Sequence, residues 1–194
     1  MTKKAVLLLA LGGCLVGGTV AFGILQNSLH SSHSPESSHS PYISQTDSPI
    51  RGLSSQEVDD LLAGRGAGYA RAAELNSYPG PRHVLDLAKE LSLSSEQEQA
   101  IQSAFESMQA QAQKLGSAVV RQEKGLSQEF ANGTVNSERL DYYTQSLAML
   151  YGQLRATHLN AHLQITPLLS PEQIKQYDQL RGYSNFSASS LHKP

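Results

Sequence analysis

An all-α fold is predicted: a long antiparallel helical hairpin with short flanking helices, preceded by an N-terminal transmembrane or signal helix. Three observations carry that expectation. The 194-residue chain has no Trp and only 6% aromatic residues, while Ala, Leu, Gln and Glu are abundant, a composition of helix formers rather than strand formers. Apolar residues recur in steps of four and three along two long stretches. Three quartets beginning with serine and ending in Glu or Gln stand where helix N-termini are wanted.

The N-terminus sets the expected compartment. Lys3 and Lys4 precede Ala5 to Leu25, an uncharged 21-residue run. As a helix it spans roughly 31 Å, about the thickness of the bilayer hydrocarbon. The lysines hold its start in the cytoplasm, so the rest of the chain belongs outside. A retained signal anchor is the first reading. Ala21-Phe22-Gly23 offers small residues for signal cleavage instead, and Leu11-Gly12-Gly13-Cys14 resembles a lipobox with little apolar core ahead of it. All three place residues 26–194 in the periplasm or an equivalent extracytoplasmic space, and the anchor would tie them to the inner membrane.

Charge and cysteine usage narrow the function. Fifteen Lys and Arg against seventeen Asp and Glu give a net charge of −2, and without Lys3 and Lys4 the exported part carries −4. There is no basic surplus to neutralise phosphates, so nucleic acid is not an expected partner. One cysteine excludes a disulfide framework or a multi-thiolate metal site within one chain.

Residues 26–50 contain nine serines, three prolines and three histidines, with the pentapeptide SSHSP at 31–35 and again at 37–41. Such a segment has too few apolar groups to bury and reads as a disordered tether. His30, His33 and His39 are a loose metal scavenger at most. A helical domain follows over 51–183, and 184–194 reads as a flexible tail.

Within that domain, the capping box at Ser54 to Glu57 opens a short helix that Gly64 stops. Residues 64–81, rich in Gly and Pro, read as a loop or broken helix. Gly64-Arg-Gly-Ala-Gly68 follows no strand and lacks a downstream Lys-Ser/Thr, so it is not read as a nucleotide loop. Pro81 suits the first turn of a helix through about Glu90. Ser94 to Gln97 is a second capping box, opening a helix to about Ala131. Its seam runs through Ile101, Phe105, Met108, Ala112, Leu115, Val119, Leu126 and Phe130. Asn132-Gly133 ends it. A helix from Asn136 or Ser137 continues the period at Leu140, Tyr143, Leu147, Leu150, Leu154, Ala161 and Ile165, and Pro167 ends it. Ser170-Pro171-Glu-Gln173 then opens a last helix to Arg181. Met108 and Met149 are expected in the core. A two-helix hairpin leaves a broad face open, so a homodimer is expected.

The motifs Leu93-Ser-Ser-Glu-Gln97 and Leu169-Ser-Pro-Glu-Gln173 resemble the paired LTxxQ motifs of the Spy/CpxP superfamily, with serine for threonine at each N-cap. Residues 73–88 (AELNSYPGPRHVLDLA), His158 to Leu163, Tyr177 and Leu180 to Tyr183 sharpen the likeness to its heavy-metal sensor and resistance branch. The resemblance spans about residues 53–183; Ser77 stands where a glycine is expected. It implies an all-helical, non-enzymatic envelope protein acting as chaperone, stress-kinase modulator or metal sensor. In the nickel/cobalt-sensing members a His and a Met precede the second motif. The matching positions here are Ala161 and Ile165, which cannot bind metal, so that ligand set is not inherited.

No catalytic constellation is present: there is no G-x-S-x-G elbow, no Cys–His pairing outside the apolar run and no strand-based cofactor fold. The candidate chemistry is a metal site. His158 and His162 lie four apart on one helical face, one position off the seam and on the rim of the core, so both imidazoles can reach one ion. His83, after the Pro79-Gly80-Pro81 turn, is the candidate third ligand, with Glu74 behind it. The expected ion is a divalent transition metal: Zn, Cu, Ni or Co. Set against this, the same histidines serve as hydrogen-bonding groups between helices. The leading expectation is a membrane-tethered protein that senses or buffers such a metal, with a membrane signalling protein as partner. The alternative is a chaperone for unfolded clients, in which Tyr142, Tyr143 and Tyr151 form a binding surface.

Overall fold

The computed structural model describes residues 40–48 and 50–183. These form six α-helices: α1 Ser55–Ala63, α2 Arg71–Glu74, α3 Pro81–Asp86, α4 Ser95–Asn132, α5 Ser137–Ile165 and α6 Pro171–Leu180. No strand occurs among the described residues. None of these helices is long and apolar enough to cross a membrane. The Ala5 to Leu25 run, most of the tether with its three histidines, and the tail lie outside the described residues.

Local chemistry sets the helix ends. Ser54, Ser94 and Ser170 each accept a hydrogen bond from the N3 backbone N–H, while Glu57, Gln97 and Gln173 reach back to the cap. Asn136 caps α5 through the N–H of Arg139. Gly64 (φ +67°) and Gly133 (φ +66°) close α1 and α4 in the left-handed conformation that favours glycine. The expected helix through Glu90 stops at Asp86 instead. Leu87 to Ser92 tighten into turns, and these bury Leu91 in the core at 1% exposure.

The hairpin of α4 and α5 is the scaffold, and two apolar clusters build on it. In the first, Ile50, Leu53 and Leu61 pack on Ala112, Leu115 and Val119 of α4 and Leu147 and Leu154 of α5. Ile50, the last residue of the expected tether, is thus part of the core. Helix α1 approaches α4 so closely at Gly116 that a Cβ there would lie 2.0 Å from the Leu61 carbonyl oxygen. In the second cluster, Val84, Leu91, Leu169 and Tyr177 close over Ile101 and Ala104 of α4 and Ile165 of α5. The short helices are therefore not shared between the two ends of the hairpin. Helices α3 and α6 sit at its open base and α1 against its middle. Phe130 near the tip, at 58% exposure, and Met149 on the outer face of α5, at 62%, are surface residues rather than core. Phe130 has the seam spacing, whereas Met149 falls between the seam positions Leu147 and Leu150, and neither is covered among the described residues.

The two motif glutamines meet at the base. The Nε2 amide of Gln97 donates to Gln173 Oε1 (2.9 Å) and to the Leu168 carbonyl (2.7 Å). Gln173 Nε2 donates in return to Gln97 Oε1 (3.1 Å) and to the Leu91 carbonyl (3.1 Å). Each Oε1 also accepts the cap N–H of its own helix. One pair of amides thus caps two helices, ties them together and satisfies two loop carbonyls.

The clasp predicts non-additive energetics. Gln97→Ala or Gln173→Ala should each cost about 1–3 kcal/mol, because half-buried partners lose their bonds. The double variant should cost less than the sum, with a coupling of about 0.5–3 kcal/mol. Urea unfolding of the four species checks it; strict additivity would mean that the amides act separately.

Candidate functional site: a histidine-lined cleft

The segment from Gly64 to His83 arches over the base half of the hairpin and leaves a cleft of about 950 Å³ beneath it. Phe105 and Met108 of α4, His158 and His162 of α5, and Arg181 and Tyr183 form the opposite walls. All three sequence-selected histidines line this one cleft.

The paired histidines are deeper than their register implied. His158 is 3% exposed and His162 7%, so both belong to the interior rather than the rim. The arch covers them, and a two-helix seam does not reveal that cover. His162 Nδ1 lies 2.7 Å from the Tyr78 carbonyl. A carbonyl only accepts, so Nδ1 carries the proton there and the neutral ring keeps its lone pair on Nε2. Gly80 makes this approach possible: a Cβ would stand 2.9 Å from His162 Cε1 and 3.1 Å from Glu74 Oε2. His158 stacks on Tyr69, ring centres 5.6 Å apart and planes within 14°. Its buried Nε2 has no hydrogen-bond partner among the described residues. Burial, and then the neighbouring His162, push the His158 pKa below the ordinary histidine value.

His83 is half-buried on the same cleft. Burial, followed by the Arg181 guanidinium, lowers its pKa, with Glu74 working against them. Yet among the described residues no three His, Cys, Asp or Glu side chains come together as a group able to hold a metal ion. Glu74 is occupied elsewhere. It accepts from the Tyr177 and Tyr183 hydroxyls and lies 3.5 Å from Arg181 Nε and 3.8 Å from His162 Nδ1. This carboxylate ties the arch to the C-terminal segment, and with burial it drives the Tyr177 hydroxyl pKa upward. Ser77, where a glycine was expected, does adopt a positive φ of +60°, and its hydroxyl donates to Asp178 Oδ2 at 2.6 Å. Ala161 and Ile165, the positions matching the nickel/cobalt ligands, are core residues at 4% and 0% exposure.

Sequence reasoning missed the guanidinium groups of the cleft: Arg65, Arg71, Arg82 and Arg181 all line it. Arg65 lies within the Gly64 to Gly68 stretch and Arg71 three residues after it, which was the available signal. The other two arrive only through folding.

A family model described as LTXXQ motif family protein matches residues 81–181, just over half of the 194-residue chain. No curated protein and no solved structure matches.

The buried His158 makes stability depend on pH. The imidazole is held neutral in the fold but protonates near pH 6.5 in the unfolded chain. Its contribution is therefore present above about pH 6.5 and is lost as pH falls below it. The urea midpoint should drop between pH 7.5 and 5.5, and His158→Leu should shrink that drop, with His83 supplying part of the remainder. An undiminished drop would remove His158 from the account.

Proposed function

This chain belongs to the LTXXQ motif family, the Spy/CpxP superfamily, and from that premise we propose a non-enzymatic envelope-stress protein that holds non-native polypeptide on its hairpin. Proteins of this family are generally periplasmic. The anchor read from Ala5 to Leu25 would keep the domain beside the inner membrane.

The observation that supports client binding is an apolar row on the outer face of α5. Tyr142, Met149 and Leu163 are 59%, 62% and 57% exposed. They stand seven and fourteen residues apart, and the exposed Ala156 fills the gap. A heptad spacing keeps them on one face with a slow drift, over roughly 32 Å of helix. Exposed Phe130 and Leu140 extend the apolar surface at the tip. Tyr143 and Tyr151, by contrast, are half-buried and offer less to a client. An extended, unfolded segment presents apolar side chains to such a row without needing a shaped pocket. A second copy of the chain is the competing occupant.

Light scattering of an aggregating client checks this reading. Met149→Glu and Leu163→Glu should abolish most of the protection at equal concentration while the helical circular dichroism is retained. Unchanged protection in the double variant would overturn it.

A second reading, metal sensing or buffering, is favoured by one observation: the orphaned His158 Nε2 beside a His162 whose other nitrogen is fixed by a carbonyl. Metal-bound imidazoles are commonly oriented by such a backbone bond. His158 and His162 would hold a Zn, Cu, Ni or Co ion, and His83 would have to move in to complete the set. A membrane signalling protein would then receive the response. Calorimetric titration with Zn²⁺, on a chain whose His30, His33 and His39 are replaced by Ala, tests it. A saturable site should be lost in His158→Ala and in His162→Ala, and weakened about tenfold or more in His83→Ala. Affinity should also fall in acid, with the lowered pKa values of His158 and His83 delaying the loss to below the ordinary histidine range. Equal binding by the paired variant would leave the histidines structural.

A further inference from the structure

The cleft has a charge pattern that neither reading above uses. Four arginines line it, against one acidic residue, Glu74, among the described residues. Arg65 is balanced by Asp60 at 2.5 Å and Arg82 by Asp86 at 3.0 Å, while Arg181 shares Glu74 with two tyrosines. Arg71 has no acidic partner among the described residues. Its guanidinium lies against the loop at Gly68, where a Cβ would stand 3.1 Å from it.

Beside these charges the wall is apolar. Phe105 and Met108 are half-buried, Leu75 is 59% exposed, and the Arg82 guanidinium lies 5.8 Å from the Phe105 ring centre. The volume of about 950 Å³ falls at the upper end of small-ligand clefts. Guanidinium groups accept no metal and repel cations, whereas they bind carboxylate and phosphate oxygens through paired N–H groups. We propose that the cleft binds an amphiphilic anion, with a carboxylate or phosphate headgroup at Arg71 and its apolar body along Phe105, Met108 and Leu75. This site is separate from the outer row on α5 and needs no metal, so its test can fail while both readings above stand.

Isothermal titration of the full chain with decanoate and with decyl phosphate, below their micelle concentrations, tests the site and separates fatty-acid from phospholipid-like headgroups. One saturable site per chain is expected for at least one of them. Decyl maltoside of equal chain length and acetate should each bind at least tenfold more weakly. Arg71→Glu should weaken binding at least tenfold, and Arg71→Lys should keep most of it. Arg71 is exposed, and unchanged circular dichroism verifies that its variants fold. Equal affinity for the neutral detergent, no effect of Arg71→Glu, or the absence of any saturable site would each overturn the proposal.

Discussion

The reciprocal amide pair of Gln97 and Gln173 is the constraint on which the base of the molecule depends. A glutamine amide has one acceptor and two donor hydrogens. Both groups here are used at once to cap a helix, to bind the other amide and to satisfy a loop carbonyl. The clasp fixes where α6 begins relative to α4. It thereby sets the lid that Tyr177, Leu169 and Leu91 place over Ile101 and Ile165. Glutamate would not serve as well, because an ionised carboxylate has no donor for the carbonyls. The recurrence of the motif in pairs has a physical meaning: one copy caps a helix, whereas two copies join their helices.

From this base the cleft is built outward. Tyr177, positioned by α6, reaches the carboxylate of Glu74, which also draws in Tyr183 and Arg181. The Pro79-Gly80-Pro81 turn then settles onto His162, whose Nδ1 meets the Tyr78 carbonyl. The histidines therefore have a structural duty before any ligand is considered: they hold the arch to α5. His158 is the incomplete part, a buried imidazole with one nitrogen unpartnered. A polar atom in that state costs stability, which makes it the natural place for a ligand to gain affinity.

Much of the fold was legible because it is local, but the candidate site was only half legible. The i,i+4 spacing of His158 and His162 correctly put two imidazoles on one face. It could not show that the chain before α3 folds back over them, converting a rim into an interior. Phe130 misleads in the opposite direction. Periodicity marks which side chains point one way along a helix, not whether a partner waits there. Among the described residues, Phe130 at the tip has none.

The short α2 and the early stop of α3 at Asp86 aside, the sequence by itself determined the long helices and most helix ends. Each depends on groups no more than a few residues apart: a serine hydroxyl and the N3 amide, a glycine with positive φ, a proline in a first turn. Those contacts form wherever the rest of the chain goes. Tertiary structure alone decided the clasp, the carboxylate junction and the cationic cleft. Their partners are 76 residues apart for Gln97 and Gln173, and 103 for Glu74 and Tyr177. Such pairs carry no spacing rule, since only the packing of α3 and α6 against the hairpin brings them within hydrogen-bonding reach. Burial follows the same logic, because desolvation of His158 is a property of everything folded over it.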